Sequence, residues 1–265
     1  MSKNITNRDD WFSECRWLLA EAPSAELWKR IITLWNRTRL PKDEKEVALS
    51  YLSSQLSHWP LQVVRLPPKT WIRPKKKLSP QKSLLLCNTI DVGALALPKD
   101  SLARLLRSEN VQHIQRLQLA HTQNAVSFTP NNIQQMSPRR LRVLDLRDTN
   151  IDDEGLIAWL QTGALSELEE LYLQVTKISD KSMETLFTEY SLAHLRVLDI
   201  RHTEITHRTA ECISKAPFSR QLRALHMYAN DVGEQGLMWL ADAKNLQPTV
   251  RNIYRARYFA EKNPW

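Results

Sequence analysis

Asp145 and Asp199 are each followed two positions later by an arginine, Arg147 and Arg201, and Tyr172 falls midway between them in the chain. Paired carboxylates are the working groups of glycoside hydrolysis, and inverting enzymes hold them about 6.5–9.5 Å apart to admit a water. Acids placed two strands apart in a sheet stand roughly 9–10 Å apart, at the upper end of that range. The chemistry also needs a desolvating pocket that drives the two pKa values apart, and nothing in the sequence around either acid supplies one.

Other reactive constellations lack their residues. There is no GxSxG, HExxH, GxxxxGK(S/T) or GxGxxG in the chain. His58, His113, His121, His194, His202, His207 and His226 show no spacing suited to metal ligation. Cys15, Cys87 and Cys212 lie far apart without a CxxC pair, which fits free thiols in a reducing cytoplasm rather than a disulfide framework or a zinc knuckle. The expectation is a non-enzymatic protein without cofactor or metal site, with hydrolysis at Asp145 and Asp199 as a minor alternative.

What positions these residues is a repeat. "LRVLDLRDT" begins at Leu141 and "LRVLDIRHT" at Leu195, and related phrases begin at Ile114, Leu168 and Leu222. The five starts share one period of 27 residues. Within the pattern LxxLxLxx(T/N), the second and third apolar residues are two apart, so they point to one side of a short strand. The chain must then turn, and Thr122, Thr149, Thr176, Thr203 and Asn230 stand where a small polar side chain can satisfy backbone groups that the strand no longer pairs. A helix follows. In the repeat from Leu141, Asp152 or Asp153 is expected to cap it and Leu156, Ile157 and Leu160 to form its buried side; Gly236, Leu237 and Leu240 repeat that side later. A weaker copy fits one period upstream on Cys87, Ile90, Val92, Leu102 and Leu106. Pro130 is expected to interrupt the helix of the repeat from Ile114.

These phrases resemble the leucine-rich-repeat superfamily, and in particular its ribonuclease-inhibitor-like branch and the bacterial repeats with Thr at the turn. The resemblance covers about 114–241 well and 84–113 weakly. It implies an α/β solenoid with a parallel sheet on the concave face and helices on the convex one, and binding rather than catalysis. On that sheet one row reads Gln118, Asp145, Tyr172, Asp199, His226 and the next reads Ala120, Arg147, Gln174, Arg201, Tyr228. Asp/Arg strands alternate with Tyr/Gln strands, so like charges are never immediate neighbours. The expected partner-binding set is Asp145, Arg147, Tyr172, Gln174, Asp199, Arg201, His226 and Tyr228, with the tyrosines as anchors and the arginines as hydrogen-bonding forks. The competing expectation is that each Asp–Arg pair neutralises itself on a solvated face.

The organisation expected from composition is a Trp-rich helical region at 1–60, a Pro/Lys-rich linker or capping strand at 61–83, repeats at 84–248 and a basic–aromatic cap or tail at 249–265. Six of the nine tryptophans lie in residues 1–71, and they would either pack a helical cap on the solenoid or dock another subunit. Residues 1–82 hold 16 basic and 8 acidic residues, whereas 83–265 hold 21 of each. The net charge of +8 therefore belongs to the N-terminal part, and the tail from 251 adds its own basic cluster. This supports a second expectation, that of an accessory nucleic-acid-binding subunit using an arm at 65–82, with Arg73, Lys75, Lys76 and Lys77, and the tail, with Arg255 and Arg257. The first expectation remains an adaptor in a hetero-complex, cytoplasmic and bacterial, holding one protein on the sheet and another through the N-terminal helices. No run approaches the roughly 18 apolar residues of a membrane span, and the N-terminus shows no apolar signal core.

Overall fold

The structure, a computed structural model, describes residues 4–72, 82–92, 99–122 and 127–262. The chain divides into two compact units, Met1–Ile90 and Asp91–Trp265.

The first unit is helical: α1 (Arg8–Leu19), α2 (Ala25–Arg37), α3 (Lys42–Ser57) and the single turn α4 (Lys69–Ile72). Asn7 caps α1 by accepting from the backbone of Asp9 and Asp10, and Ser24 caps α2 by accepting from Leu27. Trp11, Cys15 and Leu18 of α1 pack with Leu27, Trp28, Ile31, Leu34 and Trp35 of α2 and Leu49, Leu52 and Leu56 of α3 to form its core. Burying an indole is cheapest when its N–H finds an acceptor. Trp11 donates to Thr38, Trp28 to the Leu66 carbonyl and Trp71 to Asn36. Most of the clustered tryptophans are therefore the core of this unit. Trp59 is half-buried, and Trp17 is 65% exposed and overlain by Arg30.

Two side chains of the stretch expected to be a linker or basic arm also belong to that core. Trp71 is buried, and so is Arg65, which donates through Nε to the Leu86 carbonyl. Burial pushes the Arg65 guanidinium down to about 10 and withdraws it from any phosphate. Lys82 pairs with Glu46. Arg73, Lys75, Lys76 and Lys77 lie outside the described residues.

The second unit carries the repeats. Strands β1 (Thr89–Asp91), β2 (Arg116–Gln118), β3 (Val143–Asp145), β4 (Glu170–Tyr172), β5 (Val197–Asp199) and β6 (Ala224–His226) form one sheet in chain order. From β2 to β6 every pairing is parallel, and Leu117, Leu144, Leu171, Leu198 and Leu225 stand in register. Helices return the chain after each strand: α5 (Lys99–Leu106), α6 (Pro130–Gln134), α7 (Asp153–Gln161), α8 (Asp180–Thr188), α9 (His207–Lys215) and α10 (Gly233–Asp242), with α11 (Pro248–Lys262) closing the series. The core lies between sheet and helices, where the repeated leucines are sealed from water: Leu141, Leu144, Leu146, Leu195, Leu198 and Ile200 are 0% exposed.

Two local expectations need correction. Pro130 opens α6 rather than interrupting a helix, because a first-turn residue has no intrahelical acceptor for an N–H and proline has none to offer. In α7, Trp159 joins Leu156 and Leu160 on the buried side while Ile157 is only half-buried. The cap of α7 is Asp152, which accepts from Gly155. Gly155 must be glycine for space, since a Cβ there would stand 2.7 Å from the Phe128 carbonyl oxygen.

A candidate protein-binding face on the sheet

The turn after each strand is built from the residues that the repeat predicts. Thr122, Thr149, Thr176 and Thr203 donate through Oγ1 to the carbonyls of Leu119, Leu146, Leu173 and Ile200, each three residues back. Asn230 extends the device. Its amide donates to the carbonyls of Ile200 and Met227, and its oxygen accepts from the Thr203 backbone.

The residue just before each of these turns is left-handed: His121, Asp148, Val175, His202 and Ala229 all have φ between 50° and 59°. His121, Asp148 and Val175 donate their backbone N–H to the carbonyls of Arg147, Gln174 and Arg201 on the next repeat, so the conformation extends the interstrand ladder beyond the strands. The sequence places these five residues in one row along the sheet, but their left-handed backbone was not legible in it, because the residue types share no chemistry.

The Asp–Arg pairs are not displayed as the repeat pattern implies. Asp145 and Asp199 are each 2% exposed. Arg147 folds back over Asp145, with Nε–Oδ1 at 2.9 Å and Nη2–Oδ2 at 2.6 Å, and Arg201 does the same to Asp199 at 2.8 and 2.6 Å. The backbone N–H of each arginine completes the set by donating to the same carboxylate. Side chains two positions apart in extended backbone lie on one face, so the long arginine can reach back to the short aspartate and close a bidentate fork. This corrects two expectations at once. The aspartates are not partner-facing, and the pairing does occur, but with the acids buried rather than solvated. It also removes the hydrolytic reading, since both oxygens of each acid are taken by its own arginine.

What remains outward is the far side of each guanidinium and the rings beside it. Arg147 lies 5.5 Å from the centre of the Tyr172 ring, and the Tyr172 hydroxyl donates to Glu170 at 2.9 Å. Burial, reinforced by that bond to Glu170, pushes Tyr172 up to about 12, so it stays a neutral phenol. Arg201 donates to Gln174 at 2.9 Å and to the Tyr228 hydroxyl, and lies 4.9 Å from the Tyr228 ring centre. Its hydrogen bond to Asp199 raises its pKa further. The structure thus joins Gln174, Asp199, Arg201 and Tyr228 into one connected group across three strands, with Asp145, Arg147 and Tyr172 as a second. His226 is exposed, and none of these contacts reaches it.

A family model described as Leucine Rich repeat matches residues 139–158, the segment that holds β3, its turn and the start of α7. A curated protein of Arabidopsis thaliana, described as a homologue of the protein phosphatase 1 regulatory inhibitor subunit PPP1R7, is 35% identical over 131 residues, 49% of this chain. The chain carries leucine-rich repeats. The match takes in 36% of that relative, so this leucine-rich-repeat chain corresponds to little more than a third of its length.

The basic residues expected to meet nucleic acid fare differently from the strip. Arg255 and Arg257 lie on α11, and Tyr254 beside them is buried, donating to the Leu225 carbonyl at 2.8 Å instead of offering a ring to a base. Among the described residues, no helix of this leucine-rich-repeat protein is long and apolar enough to cross a membrane.

Proposed function

We propose that this protein is a non-enzymatic recognition subunit that holds a protein partner on the sheet face of its repeats, around Arg147, Tyr172, Gln174, Arg201 and Tyr228. The observation that carries the reading is the double fork. Each arginine is fastened along one edge to a buried aspartate and lies over a tyrosine ring, so its outer face is fixed before any partner arrives. Side chains already ordered lose little freedom on binding, where a loose arginine would cost about 0.5–1.5 kcal/mol. Tyrosine and arginine are also the residue types that most often dominate interfaces. A repeat architecture whose open sheets serve recognition supports the same reading.

We place the protein in a hetero-complex, with Trp17 and Val47 as the contacts available to a second partner on the N-terminal unit, where they are the exposed large apolar side chains among the described residues. Bacterial origin and cytoplasmic residence remain part of the proposal; the buried thiols of Cys15 and Cys87, both pushed up by burial, suit a reducing compartment. The test is affinity capture from cells of origin, followed by mass spectrometry, for the wild type and for Tyr172→Ala/Arg201→Ala. A protein captured by the wild type should be lost from the double variant while the fold persists. If every copurifying protein stays bound, the sheet face is not the site. The name of the plant relative makes a type 1 protein phosphatase the first purified candidate for direct titration against the same pair of proteins.

A further inference from the structure

Beyond the sheet strip, α11 and the last repeat enclose a groove of about 440 Å³. Its apolar lining comes from Met227, Val232 and Leu237, and Tyr228, Tyr254 and Arg257 stand along it. We propose that this groove docks a peptide carrying one carboxylate beside an apolar side chain, with Arg257 as the carboxylate receptor.

Arg257 is set up for that task. Its guanidinium lies 5.3 Å from the centre of the Tyr228 ring and 5.9 Å from that of Tyr254. Both rings are themselves fastened, Tyr254 through its hydroxyl to the Leu225 carbonyl and Tyr228 through its hydroxyl to Arg201. A cation over two tethered rings has its plane constrained, and ring faces leave the N–H edges unoccupied. Arg257 makes no hydrogen bond or ion pair among the described residues, and it is exposed. An oriented fork without an acceptor, on the wall of an apolar groove, is the arrangement that takes a carboxylate in two parallel hydrogen bonds.

Charge and size narrow the occupant. Arg251, Arg255 and Arg257 outnumber Glu261 along α11, so the helix attracts an acidic segment. Glu261 also lines the groove. A single guanidinium balances one negative charge, and the nearby Glu261 carboxylate works against a dianion, so a carboxylate fits better than a phosphate. The volume lies low in the range of about 300–1,000 Å³ for ligand clefts, which suits two adjacent side chains of an extended peptide.

The test titrates the full-length protein by calorimetry with a blocked peptide, acetyl-Ala-Leu-Glu-Leu-Ala-amide, and with counterparts carrying Gln or phosphoserine in place of Glu. The Glu peptide should bind, and the Gln peptide should bind about tenfold or more weakly, since one charge-assisted fork is at stake. Arg257→Ala should weaken the Glu peptide by a similar factor with the unfolding midpoint kept, and Arg257→Lys should fall between. Failure of the Glu peptide to bind, equal binding of Glu and Gln peptides, or an undiminished affinity in Arg257→Ala would each overturn the proposal. Tighter binding of the phosphoserine peptide would overturn the carboxylate assignment. Tyr172→Ala should leave this titration unchanged, so loss of the sheet-face reading and loss of this one are read separately.

Discussion

Asp145 shows how one side chain can be costly and necessary together. A carboxylate 2% exposed survives because Arg147 supplies both a counter-charge and hydrogen bonds. Removing the arginine alone strands the charge, whereas removing both members strands nothing. Arg147→Ala should therefore lose about 2 kcal/mol, less than a fully buried pair would because Arg147 is partly in water, and Asp145→Ala/Arg147→Ala should lose less than the single variant. Urea unfolding of the three proteins checks this, and a double variant worse than Arg147→Ala would refute it. Val175 makes the opposite case. It holds φ at 57° although it is β-branched, a conformation that costs an L-residue roughly 1–2 kcal/mol. Asparagine tolerates that region, so Val175→Asn should raise the unfolding midpoint, by about 1 kcal/mol in stability. A lower midpoint would mean that the valine side chain, 44% exposed, contributes packing that its exposure does not suggest.

Successive helices are joined by a second set of carboxylates, a role that the repeat pattern did not assign to them. Asp153, at the start of α7, accepts from the backbone and hydroxyl of Ser179 and from the hydroxyl of Ser182. Asp180, at the start of α8, accepts in the same way from Thr206 and Thr209. The series stops at the next step, where His207 follows and the partner positions are Gly233 and Gly236. Burial works to raise both acids, but the hydrogen bonds outweigh it and each lies below the ordinary carboxylate range. An acid whose folded pKa is depressed stabilises the fold above its unfolded value, near 3.9, and that contribution fades as pH falls through the lower folded value. Asp180→Asn should therefore be about 1–2 kcal/mol less stable than wild type at pH 7. The gap should shrink near pH 3, and an equal gap at both pH values would show that the charge is not what matters. The sequence held the signal, since Asp153 and Asp180 are one period apart and so are the hydroxyl residues they serve. It was masked by proximity to the N-cap, where Asp152 and Asp153 read as rivals for one role. The leucines were legible because inward spacing alone decides them; the buried aspartates were not, because their burial depends on how an arginine folds back two residues away.

The repeat unit as a whole is close to one-dimensional, each turn resting mainly on its neighbours. Its sheet order follows the chain without a crossover, so the last repeat has a neighbour on one side only, and α11 closes the other. Tyr254 fastens that closure: it is 2% exposed and its hydroxyl donates to the Leu225 carbonyl in β6. Deleting a buried aromatic side chain costs about 3–5 kcal/mol, but in a linear array the loss need not be shared equally. Tyr254→Ala should therefore loosen the end before the middle. Hydrogen exchange should quicken strongly at the amides of β6 and α10, whereas Leu146 and Leu173, whose N–H groups bond to the carbonyls of Tyr172 and Asp199, should change little. Tyr254→Phe, which keeps the ring and loses only the hydroxyl, should move the same amides by a smaller factor, near the 0.5–1.5 kcal/mol of a single hydrogen bond. Uniform acceleration from β2 to β6 in Tyr254→Ala would mean instead that the repeats unfold as one cooperative block, and that α11 is integral to it rather than a cap on its last turn.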